Sequence, residues 1–427
     1  MEKRLTAVII GMGSRGKNTY GAEFLMQKDR VAVTAVADID GERLRLGGTA
    51  HGVPEKMWFQ SGEELLEQPR LADFAVICTQ DRQHVPHAVA ALRKGYDVLL
   101  EKPVSPKLSE LQEIVRVAKE ENRRVVVCHV LRYTPFFGMI KNMIDDGRLG
   151  RIVNIQALEN VCYWHQAHSF VRGNWRREEE TSPMILAKCC HDLDYLIWLA
   201  GSRCERVSSF GSRIYFRPEN APKGAAKRCT QGCRVKEECP YNAEKIYLMD
   251  KKTGVLNGNT GWPADTLSEH PTESSIRKAI EEGPYGRCVF FCDNDVVDNQ
   301  IVNMQMENGA AISLTMSAFT STGGRTIKVM GTLGDVWGDM HQNIIRVCEF
   351  GKEPETIDLG RMSNDSGGHG GGDRGLVLSV LDYLEGKTIK NTITTLETSI
   401  ESHLVALAAE ESRLHHGTPV EIGRMRG

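Results

Sequence analysis

The chain has 427 residues, 41% of them hydrophobic and 26% charged, and its 53 basic and 56 acidic side chains leave a net charge of −3. This composition excludes a disordered chain, a collagen-like repeat and a small disulfide-stapled scaffold, and the length predicts two domains. No Lys/Arg-rich run is present, so nucleic acid and anionic membrane are excluded as partners on electrostatic grounds.

At the N-terminus, Met1-Glu2-Lys3-Arg4 and the apolar run from Leu5 to Ile10 imitate a signal peptide. The run is short, however, and opens onto a glycine motif in place of a small-residue cleavage site, so it reads as a first strand. No apolar stretch approaches the roughly 18–20 residues that cross a bilayer, and the expected location is the cytoplasm. There the 12 cysteines are predicted to be reduced thiols or metal ligands and not disulfides.

Through the first 130 residues, short β-branched runs alternate with helical periodicity. Strands are predicted over Ala7–Ile10, Val31–Ala37, Phe74–Cys78, Val98–Leu100 and Val125–Val130, with helices over His84–Lys94 and Leu108–Glu121. This rhythm predicts a doubly wound parallel sheet with helices on both faces, over residues 1–130.

After Arg132 the rhythm changes. A strand over Arg151–Val161 and a helix over Met184–Leu199 lead into alternating runs at Val207–Phe216, Ile301–Met306, Ala310–Ala318 and Thr326–Met330. Asn308-Gly309 between two of them predicts a type I′ hairpin turn. Residues 131–427 are thus expected to form an open, mainly antiparallel sheet domain. The polar stretch 217–298, punctuated by prolines and cysteines, reads as an insertion, and Asn364–Gly372 as a glycine-rich loop around His369. Helices over Gly375–Glu385 and Leu396–His415 close the chain.

Gly11-Met12-Gly13-Ser14-Arg15-Gly16 follows the first strand and opens a helix, and Asp38 ends the second strand. Gly11 permits a tight turn, Gly13 lets backbone N–H groups and Ser14 approach a pyrophosphate, and Gly16 lets helix and strand pack closely. The helix N-terminus favours the negative charge. Asp38 would accept hydrogen bonds from a ribose and repel a 2′-phosphate, which predicts NAD over NADP. Arg15 works against that choice, because it could reach a phosphate. The alternative is a glycine-rich turn in a nucleotide-free α/β domain.

Glu101-Lys102-Pro103 follows the fourth strand. Together with Gly11–Gly16, Thr79, the stretch from His84 to Gly95, Arg132-Tyr133-Thr134-Pro135 and the helix carrying His191 and Asp194, it resembles the Gfo/Idh/MocA oxidoreductase family. The resemblance extends over almost the whole chain. It implies NAD(P)-dependent oxidation or reduction of a sugar, inositol or similar polyol, in a homodimer or homotetramer joined through the open sheet. By the same resemblance Lys102 is the active-site lysine, Thr79 and His84 lie at the cofactor, and His191 shares the proton of the reacting hydroxyl.

Oxidising a secondary alcohol needs a base for the hydroxyl proton while hydride leaves for the nicotinamide ring. A lysine serves when burial and a nearby positive charge ease its deprotonation. The bland reading of Lys102 is a snorkelling surface lysine, and that of His191 a core histidine. Glu101 is expected to hold the strand end or a ribose hydroxyl. Many family members carry an aspartate four residues before the histidine, where this chain has Ala187. Lys188, one residue later, can contribute a charge to the pocket. Asp194 either orients the imidazole or makes a structural ion pair.

Further substrate candidates are Arg132, Tyr133, Trp175 and His369. The aromatic and basic stretch of Trp164, His165, His168, Arg172 and Trp175 is either a sugar-stacking surface or a loop core. In the insertion, Cys229, Cys233 and Cys239 with Cys288 or Cys292 predict a structural zinc or iron–sulfur site, or else free buried thiols. The leading functional expectation is an NAD-dependent dehydrogenase acting on a carbohydrate hydroxyl. The runner-up is a glycosidase that retains NAD and works by transient oxidation and elimination. A third, a non-catalytic nucleotide sensor, is disfavoured by the presence of both Lys102 and His191.

Overall fold

The structure, a computed structural model, describes residues 4–362, 368–387 and 392–426, with the side chains of residues 362 and 369 left aside. Six parallel strands form the first sheet: β1 Leu5–Ile10, β2 Val31–Ala37, β3 Trp58–Phe59, β4 Phe74–Ile77, β5 Asp97–Leu100 and β6 Val125–Val127. Their order is β3-β2-β1-β4-β5-β6. Ala7–Ile10 and Phe74–Ile77 are buried along their whole length, as a sheet covered on both faces requires. Strand order reverses between β1 and β4, and the crevice at their carboxyl ends is where such sheets bind ligands.

The helices Gly41–Ala50 and Gly62–Glu67, not foreseen in the sequence, start at side-chain caps on Asp40 and Ser61. The last strand is shorter than predicted. At His129 the chain leaves the sheet and winds into the 3-10 helix Val130–Tyr133. The Val127 N–H donates to the Thr394 carbonyl at 2.8 Å, so a C-terminal segment covers this edge of the sheet.

The second sheet has nine strands: β7 Ile152–Asn160, β8 Cys204–Ser212, β9 Asn299–Met306, β10 Ala311–Ser317, β11 Gly324–Gly331, β12 Gly334–Asp339, β13 Ile344–Glu349, β14 Glu355–Asp358 and β15 Val420–Glu421. Their order is β14-β13-β12-β11-β7-β10-β9-β8-β15, and all neighbours are antiparallel except β7 and β10. The sheet is therefore mixed and mainly antiparallel. Strands β12, β14 and β15 are short and rich in glycine or charge, and their pairing in the sheet is what makes them strands.

Two local expectations are corrected. The turn at Asn308-Gly309 is not type I′, which needs positive φ at both residues. Only Gly309 has it, at +86°, and Met306 and Ala310 close a three-residue loop. The predicted helix over Met184–Leu199 is broken into Met184–Ala187 and Cys190–Ala200, with Lys188 and Cys189 between them. The predicted strand over Val207–Phe216 ends at Ser212, because the backbone N–H groups of Ile214 and Tyr215 turn away to the buried Asp298 carboxylate at 3.1 and 2.8 Å.

The C-terminal helices return to the first half of the chain. Leu376, Val377, Val380 and Leu381 of the helix Gly372–Leu384 share one apolar core with Ile9, Phe74 and Leu99. The helix Leu396–Leu414 touches β8, the helix Cys190–Ala200 and the helix Leu108–Glu120. The insertion between β8 and β9 builds its own small core from residues such as Ile246, Tyr247, Ile276 and Ile280, around the helix Glu273–Glu282. No helix among the described residues is long and apolar enough to cross a membrane.

Candidate active site

The glycine motif sits at the carboxyl end of β1. Gly11 has φ of +94°, and a Cβ there would stand 2.6 Å from the Cys78 carbonyl oxygen. At Gly16 a Cβ would stand 1.9 Å from the Gly11 carbonyl, so this position tolerates no side chain. A Cβ on Gly13 would meet nothing within 4 Å, which leaves open space beside the exposed Ser14 at the helix start. Asp38 accepts from the Met12 N–H at 2.6 Å and the Asp40 N–H at 2.8 Å, and both bonds shape the turn around it. Open space at Gly13, a helix N-terminus and a carboxylate at the second strand fit a dinucleotide with its pyrophosphate at Gly13 and a ribose toward Asp38.

Arg15 does not reach toward a phosphate as expected. Its guanidinium donates to Glu101 at 2.6 Å and to Asp373 at 2.7 Å, and also bonds the Tyr20 hydroxyl. These carboxylates hold Arg15 charged despite its burial. Glu101 in turn accepts from the Tyr20 hydroxyl at 2.6 Å and the Lys102 N–H at 2.9 Å. Glu101 is therefore a strand-end brace, and its carboxyl is held low by Arg15 and Lys102 against the opposing effect of burial, the largest single influence.

His84 is 1% exposed and lies behind the site. Its Nδ1 is 2.6 Å from the Pro103 carbonyl and its Nε2 is 3.0 Å from the Thr79 carbonyl, so it ties the two loops at the sheet's edge together. The Thr79 hydroxyl meets His87 Nδ1 at 3.3 Å.

Lys102 follows β5 and precedes a cis peptide to Pro103. Its Nζ donates to the Ala187 carbonyl at 3.2 Å, four residues before His191. That carbonyl is available because the helix breaks at Lys188. His191 begins the helix Cys190–Ala200, and its ring packs edge-on against His129 with centroids 5.7 Å apart. His129 is wholly buried and its proton affinity falls well below that of a free imidazole, through burial first and then the charges of Arg132 and Lys102.

Beneath this group lies a buried charge network. Lys188 Nζ is 3.2 Å from Glu159, Arg325 is 2.8 Å from Glu159, and Arg325 pairs again with Asp192 at 2.8 Å. Two cations and two carboxylates balance, which is what makes their burial tolerable. Burial pushes the Asp192 carboxyl up, against the pull of Arg325. His165, on the loop after β7, is close enough to Lys188 and Lys102 that their charges, after burial, press it toward the neutral form. Its ring lies 4.8 Å from that of Trp262, which the insertion supplies and which is 43% exposed. Trp164 stands 5.0 Å from Trp262 on the same ledge.

Several expected substrate contacts are instead structural. Arg132 is buried and held by both oxygens of Asp194, at 2.6 and 2.7 Å, so Asp194 makes an ion pair and does not orient His191. The Tyr133 hydroxyl bonds the Thr394 backbone N–H and hydroxyl, and burial raises its pKa. Trp175 Nε1 donates to Asp81 at 3.2 Å, which sets its ring beside the loop that follows β4. His168 bonds the Tyr247 hydroxyl at 2.9 Å inside the insertion's core. His369 falls in the short 3-10 helix Gly368–Gly371, but its side chain lies outside the described residues, as do residues 363–367 of the glycine-rich stretch.

The cysteine expectation is also revised. Cys229, Cys233, Cys239 and Cys288 line one small cavity with Arg172, yet among the described residues no three His, Cys, Asp or Glu side chains converge as a metal site. All 12 cysteines are free. Burial pushes the Cys288 thiol up to about 11 and also raises Cys239 and Cys292. The cation they surround is Arg172, whose Nη2 lies 3.7 Å from Cys229 Sγ.

The residues that spacing and motif did not single out are Glu159, Arg325, Asp192 and Trp262. Each is an isolated charge or ring in the sequence and meets its partners only across β7, β11 and the insertion.

Two family models match the chain. One, described as an oxidoreductase family with an NAD-binding Rossmann fold, covers residues 5–129, and its C-terminal α/β domain counterpart covers residues 141–422. YteT of Bacillus subtilis (strain 168), named as an oxidoreductase, is 25% identical over 386 residues, 86% of each chain. A glycosyl hydrolase family 109 protein of Saccharopolyspora erythraea is 26% identical over 236 residues, 51% of this chain and 50% of the relative. Among solved structures, the WlbA dehydrogenase of Bordetella pertussis in complex with NADH and UDP-GlcNAcA superposes with a TM-score of 0.68 at 16% identity. That likeness, over 98% of this chain and 99% of the other, is one of fold.

Proposed function

The chain belongs to the Gfo/Idh/MocA oxidoreductase family, and on that premise we propose that it transfers hydride between NAD and a secondary hydroxyl of a sugar, polyol or glycoside. The observation that carries this reading is the Lys102–Ala187 hydrogen bond, which draws the lysine at the end of the Rossmann sheet to the segment bearing His191. A dinucleotide held at Gly13 and Asp38 would supply the hydride acceptor. Lys102 takes the hydroxyl proton as the carbon gives up hydride, and His191 shares that proton. Neither needs Arg132, which stays on Asp194. The buried network of Lys188, Glu159, Arg325 and Asp192 fixes the floor on which His191 and Ala187 sit.

The carbohydrate part of the reading is supported by the ledge of Trp262, Trp164 and His165. An exposed indole face packs well against the C–H surface of a pyranose. The named ligands and activities of the relatives, a nucleotide sugar and a glycosyl hydrolase family, point the same way. The outer face of the second sheet carries the exposed, paired Phe210 and Ile301, and with Trp337 it is our candidate surface for a homodimer or homotetramer.

A second reading is a glycosidase that keeps its NAD, oxidises the glycoside, eliminates the aglycone and then reverses the oxidation. It needs one more acid/base group than a dehydrogenase, and His165 beside Lys102 supplies a candidate.

Incubating the purified protein with NAD and a panel of nitrophenyl glycosides and free sugars, with NADH and nitrophenol recorded together, decides between them. Net NADH with no nitrophenol establishes the dehydrogenase. Nitrophenol without net NADH, dependent on bound NAD, establishes the glycosidase, and neither signal from any substrate rejects both readings.

A further inference from the structure

The insertion reaches back to the dinucleotide site. Glu269, which follows its helix Ala264–Leu267, places one carboxylate oxygen 2.6 Å from Lys17 Nζ and the other 2.8 Å from Arg43 Nε. Lys17 is the residue directly after Gly16, and Arg43 lies in the helix that begins after Asp38 and Asp40. These two cations flank the ribose end of the site. Arg43 feels Asp38 and Asp40 as well as Glu269, and Asp40 feels both Arg43 and Lys17. Alongside, Asn18 Nδ2 meets Asp265 at 3.4 Å and His270 Nε2 stands 3.3 Å from Glu42, so the contact is a seam and not a single pair.

The seam is partly sheltered: the Glu269 and Lys17 side chains are 19% and 18% exposed. Glu269's carboxyl lies below its ordinary pKa, with Lys17 and Arg43 outweighing the opposing effect of burial, so it is ionised at neutral pH. Four carboxylates, Asp38, Asp40, Asp265 and Glu269, thus face two cations. A 2′-phosphate adds about 1.5–2 negative charges at pH 7 and needs free cations to receive it. Here both nearby cations already have a carboxylate partner.

We propose that Glu269 is a specificity-determining residue: it occupies Lys17 and Arg43, closes the adenosine end of the site, and thereby selects NAD against NADP. The proposal rests on the reading of Gly11–Gly16 and Asp38 as a dinucleotide site. It adds a determinant that lies outside the Rossmann sheet, on the insertion.

Equilibrium binding of NAD⁺ and NADP⁺, followed by quenching of tryptophan fluorescence at low ionic strength, tests it in the full-length protein. In the unaltered protein NAD⁺ is expected to bind at least tenfold more tightly than NADP⁺. Glu269→Gln is expected to tighten NADP⁺ about tenfold while changing NAD⁺ by no more than a few-fold, and the gain shrinks as salt is raised. Adding both Lys17→Ala and Arg43→Ala to Glu269→Gln is expected to abolish the gain, because these are the two cations the substitution frees. A preference ratio unchanged in Glu269→Gln, with NAD⁺ still bound, overturns this proposal and leaves the dinucleotide reading intact. Failure of the unaltered protein to bind either dinucleotide overturns both.

Discussion

Lys102 Nζ lies 3.2 Å from the carbonyl oxygen of Ala187, a contact that spans 85 positions of sequence and joins the end of β5 to the break before the helix Cys190–Ala200. At the break Lys188 pairs with Glu159 on β7, the next helix starts at Cys190, and the Ala187 carbonyl accepts from outside the helix. A backbone oxygen from outside the Rossmann sheet therefore holds the lysine.

If Lys102 carries the proton transfer, Lys102→Met lowers kcat by about 100- to 10,000-fold, the range typical of losing a positioned acid or base. Affinity for NAD⁺ stays within a few-fold. Steady-state rates and equilibrium dinucleotide binding on the same preparation check this, and undiminished turnover removes Lys102 from the mechanism.

Trp262→Ala removes a ring that the substrate is expected to cover without touching the reacting atoms. The expected result is a KM about tenfold higher with kcat little changed, the signature of uniform binding energy. A fall in kcat at constant KM would assign the ring a different role.

Arg172 is the largest fully buried side chain among the described residues, and it braces the insertion by donating to the Arg287 and Tyr241 carbonyls, both at 2.7 Å. Arg172→Met leaves the buried Tyr241 carbonyl unpaired, at roughly 1–3 kcal/mol, and the half-buried Arg287 carbonyl at less. Limited proteolysis should then cut faster within residues 217–298 than elsewhere, and an unchanged digestion pattern would contradict the bracing role.

His168 and His403 are buried neutral, each with its pKa lowered from 6.5 to about 3, chiefly by burial. The unfolded chain binds these protons near pH 6.5, whereas the folded chain binds them only near pH 3. Their contribution is fully present above pH 6.5 and is lost as pH falls toward 3, by at most about 1.4 kcal/mol per pH unit for each group. Urea unfolding at pH 7, 6 and 5 should show the decline, and His168→Phe should flatten its slope whatever it does to stability at pH 7.

The dinucleotide half was legible because its signals are local. Glycine positions are set by backbone conformation, Asp38 by its place at a strand end, and the parallel sheet by runs of apolar residues buried on both faces. Lys102 and His191 are singled out by motif resemblance alone, and the Lys102–Ala187 hydrogen bond brings their segments together. Spacing could not reveal which charges are already partnered. Arg15, Arg132 and Tyr133 looked available, yet Glu101 with Asp373, Asp194 and Thr394 hold them.

The chain's local order by itself determined the βαβ half, the presence of a second sheet and the position of the insertion, because burial periodicity and turn chemistry act over a few residues. Tertiary structure alone decided what the insertion does. Its cysteines gather around Arg172, Trp262 comes beside His165, and Glu269 comes between Lys17 and Arg43. Ion pairing and ring contact depend on distances between residues tens to hundreds of positions apart, and only packing of the core sets those distances.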